Sequence, residues 1–475
     1  MRKILALAST FLAFSLVLSM FTVRTEASHS EPPVLEWERT YGGAADDKAY
    51  CVVQTSDGGY ALVGATESFG VGKLDFWLVK TDANGNSVWN RTYGGAVDDD
   101  AYCVIQTSDG GYAVAGRTES YGSGDSDFWL VKTDSFGNLE WNRTFGQSFF
   151  NVATSVVQTN DGGYAIIGWS VSDVLDIDIY LVKTDAFGNM QWNKTYGGTD
   201  SDSACSIVQT SDGGYALTGT TRSFGAGDDD FWLVKTDVNG NLDWNKTYGT
   251  IDCDSASSMV HTNDGGFAMS GHTTSHDTKN VDFWLVKTDP LGNALWNKTY
   301  GGEGQETACS LVQTNDGGYV IAGGTISIDG VGSNFWLVKT DANGNMKWNQ
   351  TYGRKGYDSG KCVVQTNDGG YAIAGFRTFL LAITAFLLIK LHTPLEAVLP
   401  FWTQWWFWAI VVLGITTSIF ASTTVYYRKK MRTSKEPQVA PAKPGAEKKC
   451  KVCPNCGAKL PTDSAFCGKC GTSLE

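Results

Sequence analysis

The stretch DFWLVKTDANGNSVWN, residues 75–90, returns five times with few changes. The copies lie at 127–142, 178–193, 230–245, 282–297 and 334–349. Their closing tryptophans are Trp89, Trp141, Trp192, Trp244, Trp296 and Trp348, with Trp37 one period earlier, so the step is 51 or 52 residues. A second marker runs in phase: Asp-Gly-Gly starts at Asp57, Asp109, Asp161, Asp212, Asp264, Asp316 and Asp368. A period of this length means an array in which each unit buries its apolar surface against its neighbours.

Four β segments can be read in one unit: WERTY (37–41), AYCVVQT (49–55), YALVGAT (60–66) and DFWLVKT (75–81). Each is short, rich in β-branched or aromatic residues, and bounded by Gly, Asn or Asp. Asp-Gly-Gly closes a hairpin because glycine accepts positive φ. The turn Asp82-Ala-Asn-Gly-Asn86 does the same before Trp89. The apolar runs do not simply alternate, so these strands are expected to be covered on both faces. Four short antiparallel strands shielded on both sides make a propeller blade. A solenoid prefers shorter coils, and a stack of sandwiches does not repeat at this period. The expectation is an all-β, seven-bladed β-propeller over 37–400, with about 52 residues per four-stranded blade.

The seventh unit departs from the pattern. It keeps Asp368-Gly-Gly but then reads FRTFLLAITAFLLIKLHTPL, without the Thr-Asp-x-x-Gly-Asn turn. Residues 386–390 stand where FWLVK is expected, so 376–391 reads as a degenerate fourth strand. The rival reading is a membrane segment, but the apolar stretch 379–389 is too short to span. Ring closure is thus left open by the sequence.

The DGGY…WLxKxDxxGN pattern over 37–375 resembles the repeat propellers of exported prokaryotic proteins. The resemblance implies the fold and no ligand. The element from Asp82 to Trp89 is similar to the tryptophan-docking motif of quinoprotein propellers, one residue short, and implies shared architecture alone.

No nucleophile–base pair can be placed on the repeats. The five histidines (His29, His261, His272, His276, His392) do not recur with the period. His272 and His276 share one loop, where ordinary loop histidines compete with a local metal site near Asp277. Acidic clusters at Asp46–Asp47, Asp98–Asp100 and Asp228–Asp230 offer the ligand type that Ca2+ takes. They lack EF-hand-like spacing, so solvated loops are the plainer reading. The repeated Asp82-type turn is likewise a turn first and a cation loop second. Six sequons stand in register at Asn90, Asn142, Asn193, Asn245, Asn297 and Asn349; either they carry glycan or duplication copied one tripeptide. Cys51, Cys103, Cys205, Cys309 and Cys362 come one per unit, and Cys253 is the sixth; buried small residues fit that spacing better than disulfides. The loops before the fourth strand diverge (ESFGVGKL, ESYGSGDS, RSFGAGDD and others), either as a binding face on a uniform scaffold or as drift at exposed tips.

The N-terminus pairs a basic start with an apolar core and a small residue at Ala27, the pattern of a signal peptide over 1–27, followed by a leader at 28–36. An aromatic-flanked apolar run at 405–427 has the length of one membrane span, and Arg428-Lys-Lys-Met-Arg432 would set its cytoplasmic side. A Pro/Ala/Lys linker over 428–449 is expected to be disordered. Residues 428–475 hold 11 Lys+Arg against 4 Asp+Glu, a balance of +7 within a chain of net charge −13, so the remainder stands at −20. An acidic body argues against nucleic acid as its partner.

The tail, 450–475, carries Cys453-Pro-Asn-Cys456-Gly and Cys467-Gly-Lys-Cys470-Gly. Four thiolates at this spacing suit a closed, structural tetrahedral Zn2+ site, and the tail resembles a short zinc ribbon. Iron is the minor alternative. Cys450 is a spare thiol or alternative ligand.

These readings converge on a single-pass cell-membrane protein with the propeller outside and the tail in the cytoplasm. It would be a non-enzymatic recognition module for an extracellular protein or glycan, with the ribbon engaging a cytoplasmic protein. The alternatives are an exported enzyme at the propeller axis (lyase, glycosidase or quinone-dependent oxidoreductase) and a structural envelope component.

Overall fold

The computed structural model describes residues 31–146, 149–171, 176–326, 332–353, 357–379, 383–394, 405–433 and 450–474. The signal peptide expected at 1–27 lies outside them, as do 395–400 and the linker from 434 to 449. Residues 1–396 form one compact unit and 397–475 another.

In the first unit the strands pair in antiparallel groups of four. The first group is β2 (Asp47–Gln54), β3 (Tyr60–Thr66), β4 (Asp75–Thr81) and β5 (Ser87–Tyr93). The pattern repeats from β6 (Asp99–Gln106) to β9 (Leu139–Phe145), β10 (Asn151–Gln158) to β13 (Met190–Tyr196) and β14 (Asp202–Gln209) to β17 (Leu242–Tyr248). It continues from β18 (Asp254–His261) to β21 (Ala294–Tyr300) and β22 (Gln305–Gln313) to β25 (Met346–Tyr352). Single parallel bridges, Val281 to Gln305 and Ser333 to Tyr357, link the later groups.

The phase differs from the sequence reading. The Trp-bearing segment is not the first strand of its unit but the outermost strand of the preceding sheet. β1 (Val34–Tyr41) therefore has no sheet before it, and it pairs antiparallel with β28 (Thr384–His392). It completes the last group after β26 (Tyr357–Gln365) and β27 (Tyr371–Thr378). This corrects the leader, since residues 34–36 already belong to a strand. It also explains the missing turn of the last unit. That turn joins the third strand to the fourth, and here the fourth strand arrives from the other end of the chain. Residues 384–392 are the third strand of the sheet, not its fourth, and they are no membrane segment: Phe386, Leu387 and Leu388 are fully buried.

Burial explains why these sequences form sheets that cannot stand singly. All seven residues of β3 and of β4 are buried. Each apolar cluster is shared by two successive sheets, and one cluster joins Ala49, Tyr60 and Trp77 of the first sheet to Ala372, Ala374 and Phe386 of the last. Phe76 meets Trp129 of the next sheet at 4.5 Å between ring centroids, and Trp77 meets Phe386 of the last at 4.5 Å. Within FWLVK, Phe and Trp thus serve opposite faces. Outer Trp89 packs edge-on against Tyr112, the tyrosine after the next Asp-Gly-Gly, at 5.8 Å. Tyr93 donates to the Gly137 carbonyl at 2.7 Å, and Tyr352, which faces the missing turn, donates to Pro33 instead at 2.5 Å.

In the second unit the expected span is helical, as α1 (Trp405–Thr433). Its side chains are described from Val412 on, and among the described residues no helix is long and apolar enough to cross a membrane. The described part of the span expected at 405–427 does not by itself meet that requirement. The described part breaks its apolar run with hydroxyls at Thr416, Thr417, Ser418, Ser422, Thr423 and Thr424, most of which bond carbonyls one turn back. Residues 428–433, read as the start of a linker, continue the helix.

Candidate metal centre

The tail folds as a hairpin, β29 (Cys450–Val452) with β30 (Lys459–Pro461), carrying two matching knuckles. In the first, Gly457 N–H donates to Cys453 O at 2.9 Å and Cys453 N–H to Ala458 O at 3.0 Å. In the second, Gly471 N–H donates to Cys467 O at 2.8 Å and Cys467 N–H to Thr472 O at 2.9 Å. Gly457 and Gly471 adopt φ of 72° and 70°, which explains the glycine after each Cys-x-x-Cys.

These knuckles bring together Cys453, Cys456, Cys467 and Cys470, whose sulfurs all lie within 4.8 Å of one another. Sγ of Cys453 is 3.6 Å from that of Cys470, and Cys456 is 3.5 Å from Cys467. Sulfurs about 2.3 Å from a tetrahedral zinc sit ~3.8 Å apart, so the set fits the ion with a slight expansion. Cys453 and Cys467 are buried and Cys470 is exposed. The Thr472 hydroxyl and amide hold Cys470 down to about 6. Backbone amides of Lys469 and Cys470 also favour the Cys467 thiolate. Cys456, although the Ala458 amide favours its thiolate, is pushed up to about 12 by hydrogen bonds with Cys470 and Cys467. Four touching thiols cannot all ionise without a cation, and a divalent ion resolves that conflict. Cys450 is exposed and stands outside the cluster. Four protein ligands close the shell, so the centre stabilises the tail and leaves no open position for catalysis.

Among the described residues no second group of three metal-ligand side chains comes together. His272 and His276 part company: His276 Nδ1 lies 2.9 Å from Asp252 Oδ2, while His272 sits on the strand Phe267–Thr274. The Asp82 carboxylate is saturated by its own turn, accepting Asn84 N at 2.9 Å, Asn86 N at 2.8 Å and Asn86 Nδ2 at 2.8 Å. The six sequon asparagines are exposed on outer strands. Asn90 Oδ1 accepts from the Trp77 indole at 3.3 Å, as Asn142, Asn245, Asn297 and Asn349 do from theirs at 3.3–3.5 Å. At Asn193 the indole is replaced by Tyr180, and the amide turns to Met190.

Two features escaped the sequence reading. The lysine of each FWLVK is buried and reaches the aspartate of Asp-Gly-Gly: Lys80–Asp57, Lys132–Asp109, Lys183–Asp161, Lys235–Asp212 and Lys390–Asp368 at 2.8 Å, Lys287–Asp264 at 2.9 Å, and Lys339–Asp316 at 2.8 Å. The second glycine of the turn is required because a Cβ at Gly59 would strike the Lys80 ammonium and the Thr81 carbonyl. Each lysine also donates to the next residue's carbonyl, Lys80 to Thr81 O at 2.7 Å. These partners lower the six aspartates other than Asp316 to about 2, against the desolvation that is their largest single influence.

The acidic clusters are solvated only in part: Asp228 is exposed, but each cluster also carries a buried carboxylate. Asp47, Asp99 and Asp230 are at most 1 % exposed. Each carboxylate caps a backbone amide: Gly43 N to Asp47 at 2.8 Å, Gly95 N to Asp99 at 2.8 Å and Ala226 N to Asp230 at 2.7 Å. Where two acids face each other across a seam, oxygens stay unpaired, as at Asp99, Asp202, Asp230 and Asp254 Oδ1. Burial, with Asp99 adding to it, pushes Asp75 up to about 6.

Residues 452–474 match the family model of the zinc-ribbon domain, and this tail is a zinc ribbon. The chain is also similar to the regulatory protein FlaEY of Caulobacter vibrioides, 26% identical over 186 residues, with 33% of this chain and 20% of that protein covered. The chain thus spans a fifth of that relative's length. Among solved structures it is similar to Sqt1 from Chaetomium thermophilum (11% identity, TM-score 0.45, 76% of this chain and 99% of that one). It is also similar to the β-propeller domain of the Trilobed protease from Pyrococcus furiosus (8% identity, TM-score 0.42, 77% and 98%).

Proposed function

We propose that this chain is an exported, membrane-attached recognition protein whose seven-bladed propeller binds an extracellular protein or glycan through one rim. The observation that carries the reading is the segregation of turns. In the six sheets from β2 to β25 the two constant turns, Asp-Gly-Gly and Thr-Asp-x-x-Gly-Asn, fall at one end, and both divergent loops fall at the other. That divergent rim exposes aromatic side chains at Phe69, Tyr121, Phe150 and Phe224, each 41–46 % accessible. Beside them a cavity of about 310 Å3 is lined by Tyr102, Arg117, Phe150, Val152, Thr154 and Trp169. Aromatic faces next to a hydrogen-bonding cation suit a sugar ring or a protein loop. Arg117 is held in place by Asp100 at 2.7 Å and Glu119 at 2.9 Å.

Attachment would use the aromatic and apolar stretch 401–427 with the basic residues after it, leaving the zinc ribbon on the cytoplasmic side to meet a protein partner. Glycan on the sequons would decorate the outer strands, away from the divergent rim. The test is a glycan and protein array probed with the full chain, wild type against a Phe69→Ala, Tyr121→Ala, Trp169→Ala variant. Binding that survives the triple change, or that maps to the constant-turn end, refutes the rim. Labelling of Cys450 in intact cells by an impermeant maleimide refutes the cytoplasmic tail.

A further inference from the structure

The innermost strand of each sheet carries a bulge one residue after a small residue, and the residue that follows the bulge faces the next sheet. In the four sheets from β10 to β25 that residue is serine: Ser155, Ser206, Ser258 and Ser310. Two of these show what the position does. Ser258 Oγ accepts Leu311 N–H at 3.2 Å and Ser310 Oγ accepts Val363 N–H at 3.1 Å, each tying one sheet to the next. In the last, first and second sheets, which are consecutive around the array, the residue is Cys362, Cys51 and Cys103. Cys362 Sγ donates to Val52 O at 3.5 Å, and the two sulfurs Cys362 and Cys51 are 3.9 Å apart.

The seam these two thiols share is unlike the others. The chain crosses it from β1 to β2 as it crosses the others, but β1 is held in the last sheet by its pairing with β28 rather than by a turn, so the two thiols, 311 residues apart in sequence, meet where the array closes without a covalent link. We propose that Cys51 and Cys362 are an oxidisable pair whose disulfide bolts the last sheet to the first. The sulfurs must close from 3.9 Å to about 2.05 Å, a movement of the order that side-chain rotation supplies. Each thiol gives up one hydrogen. The two electrons and two protons pass to a disulfide oxidant, oxidised glutathione or a protein disulfide, which leaves as two thiols. On the side of the next sheet Cys51 Sγ donates to Val104 O at 3.9 Å, beside Cys103, so Cys103 competes for the same partner. Formation in the cell rests on the export proposed above, since a reducing cytoplasm would keep both thiols free. The capacity to form does not rest on it.

The experiment treats the zinc-loaded full chain with oxidised glutathione, blocks remaining thiols, and maps unreduced peptides by mass spectrometry. The expected product joins the Cys51 and Cys362 peptides, persists in Cys103→Ser, and is lost in Cys362→Ser. Serine is the array's own residue at this position, so these variants should fold. Melting of the oxidised wild type should lie above that of Cys362→Ser, and the gap should vanish on reduction. Cys51 joined to Cys103, or carrying glutathione while Cys362 stays free, overturns the proposal. Protein quenched directly from cells gives the second arm. Linkage in vitro with free thiols in the cell refutes export and leaves the pair standing.

Discussion

Asp316→Asn puts the buried lysines to the hardest test. Lys339 is fully buried, and its ammonium touches Asp316 at 2.8 Å, Thr314 Oγ1 at 2.9 Å and Thr340 O at 2.8 Å. Burial lowers its pKa, and Asp316 works against that lowering. The asparagine keeps the shape and removes the countercharge, leaving a buried cation among neutral acceptors. Breaking a fully buried pair costs about 3–5 kcal/mol. The Asp316 side chain is 32% exposed, so water softens the loss and ~2–3 kcal/mol is expected. The matched control is Asp57→Asn, whose side chain is 63% exposed beside Lys80; there the cost should be about 1 kcal/mol or less. Urea unfolding of the full chain, followed by tryptophan fluorescence, measures both. The Asp316→Asn deficit should shrink as pH rises from 7 toward 10, because deprotonating the uncompensated ammonium removes the penalty. Equal deficits in the two variants, or no pH dependence, would refute the claim that these lysines are held by the turn.

Chelating zinc, or replacing Cys467 with Ser, should unfold the tail while leaving the melting of the repeat sheets unchanged; circular dichroism and amide exchange report the two units separately. Stability of the sheets should pass through a maximum in mild acid. The turn aspartates, lowered to about 2, contribute stability present above their unfolded value near 3.8 and lost as pH falls toward 2. Asp75, raised to about 6, contributes stability present below 3.8 and lost as pH rises through 6, so melting at pH 5 should exceed that at pH 8 if such seam acids prevail. Trp77→Phe should cost about 1 kcal/mol or more through the lost Asn90 bond and the ring contact with Phe386, whereas Tyr180→Phe, where no such amide bond exists, should cost less. Intact-mass analysis of secreted protein should find glycan on Asn90 and its counterparts; six unmodified asparagines would leave the sequons as copied sequence.

Much of this was legible because it is local. Period, hairpin turns and the two-sided burial of FWLVK follow from residue types over short spans, and so do the four zinc thiols. Strand phase was not, since an outer strand and a first strand have the same composition. The pairing of β1 with β28, and Tyr352 meeting Pro33 where its counterparts meet a turn glycine, show that the array begins in mid-sheet. The lysine that ends each apolar run hid its role for a related reason. It looks like a solvated strand end, yet it lies about 23 residues from the aspartate it needs. Aspartates 47, 99 and 230 looked like loop charge, because sequence does not reveal that a neighbouring sheet covers them.

Closure by β1 has a price in assembly. The first strand to be made waits for a partner that is among the last, and until then β28 presents an unpaired edge. At high concentration the strand that fills that edge can come from another molecule, giving reciprocal exchange of residues 34–41 and a dimer with every native contact kept. Purified chain refolded at high concentration should therefore yield a slowly interconverting dimer, and deleting residues 31–41 should turn that closed pair into open-ended aggregation.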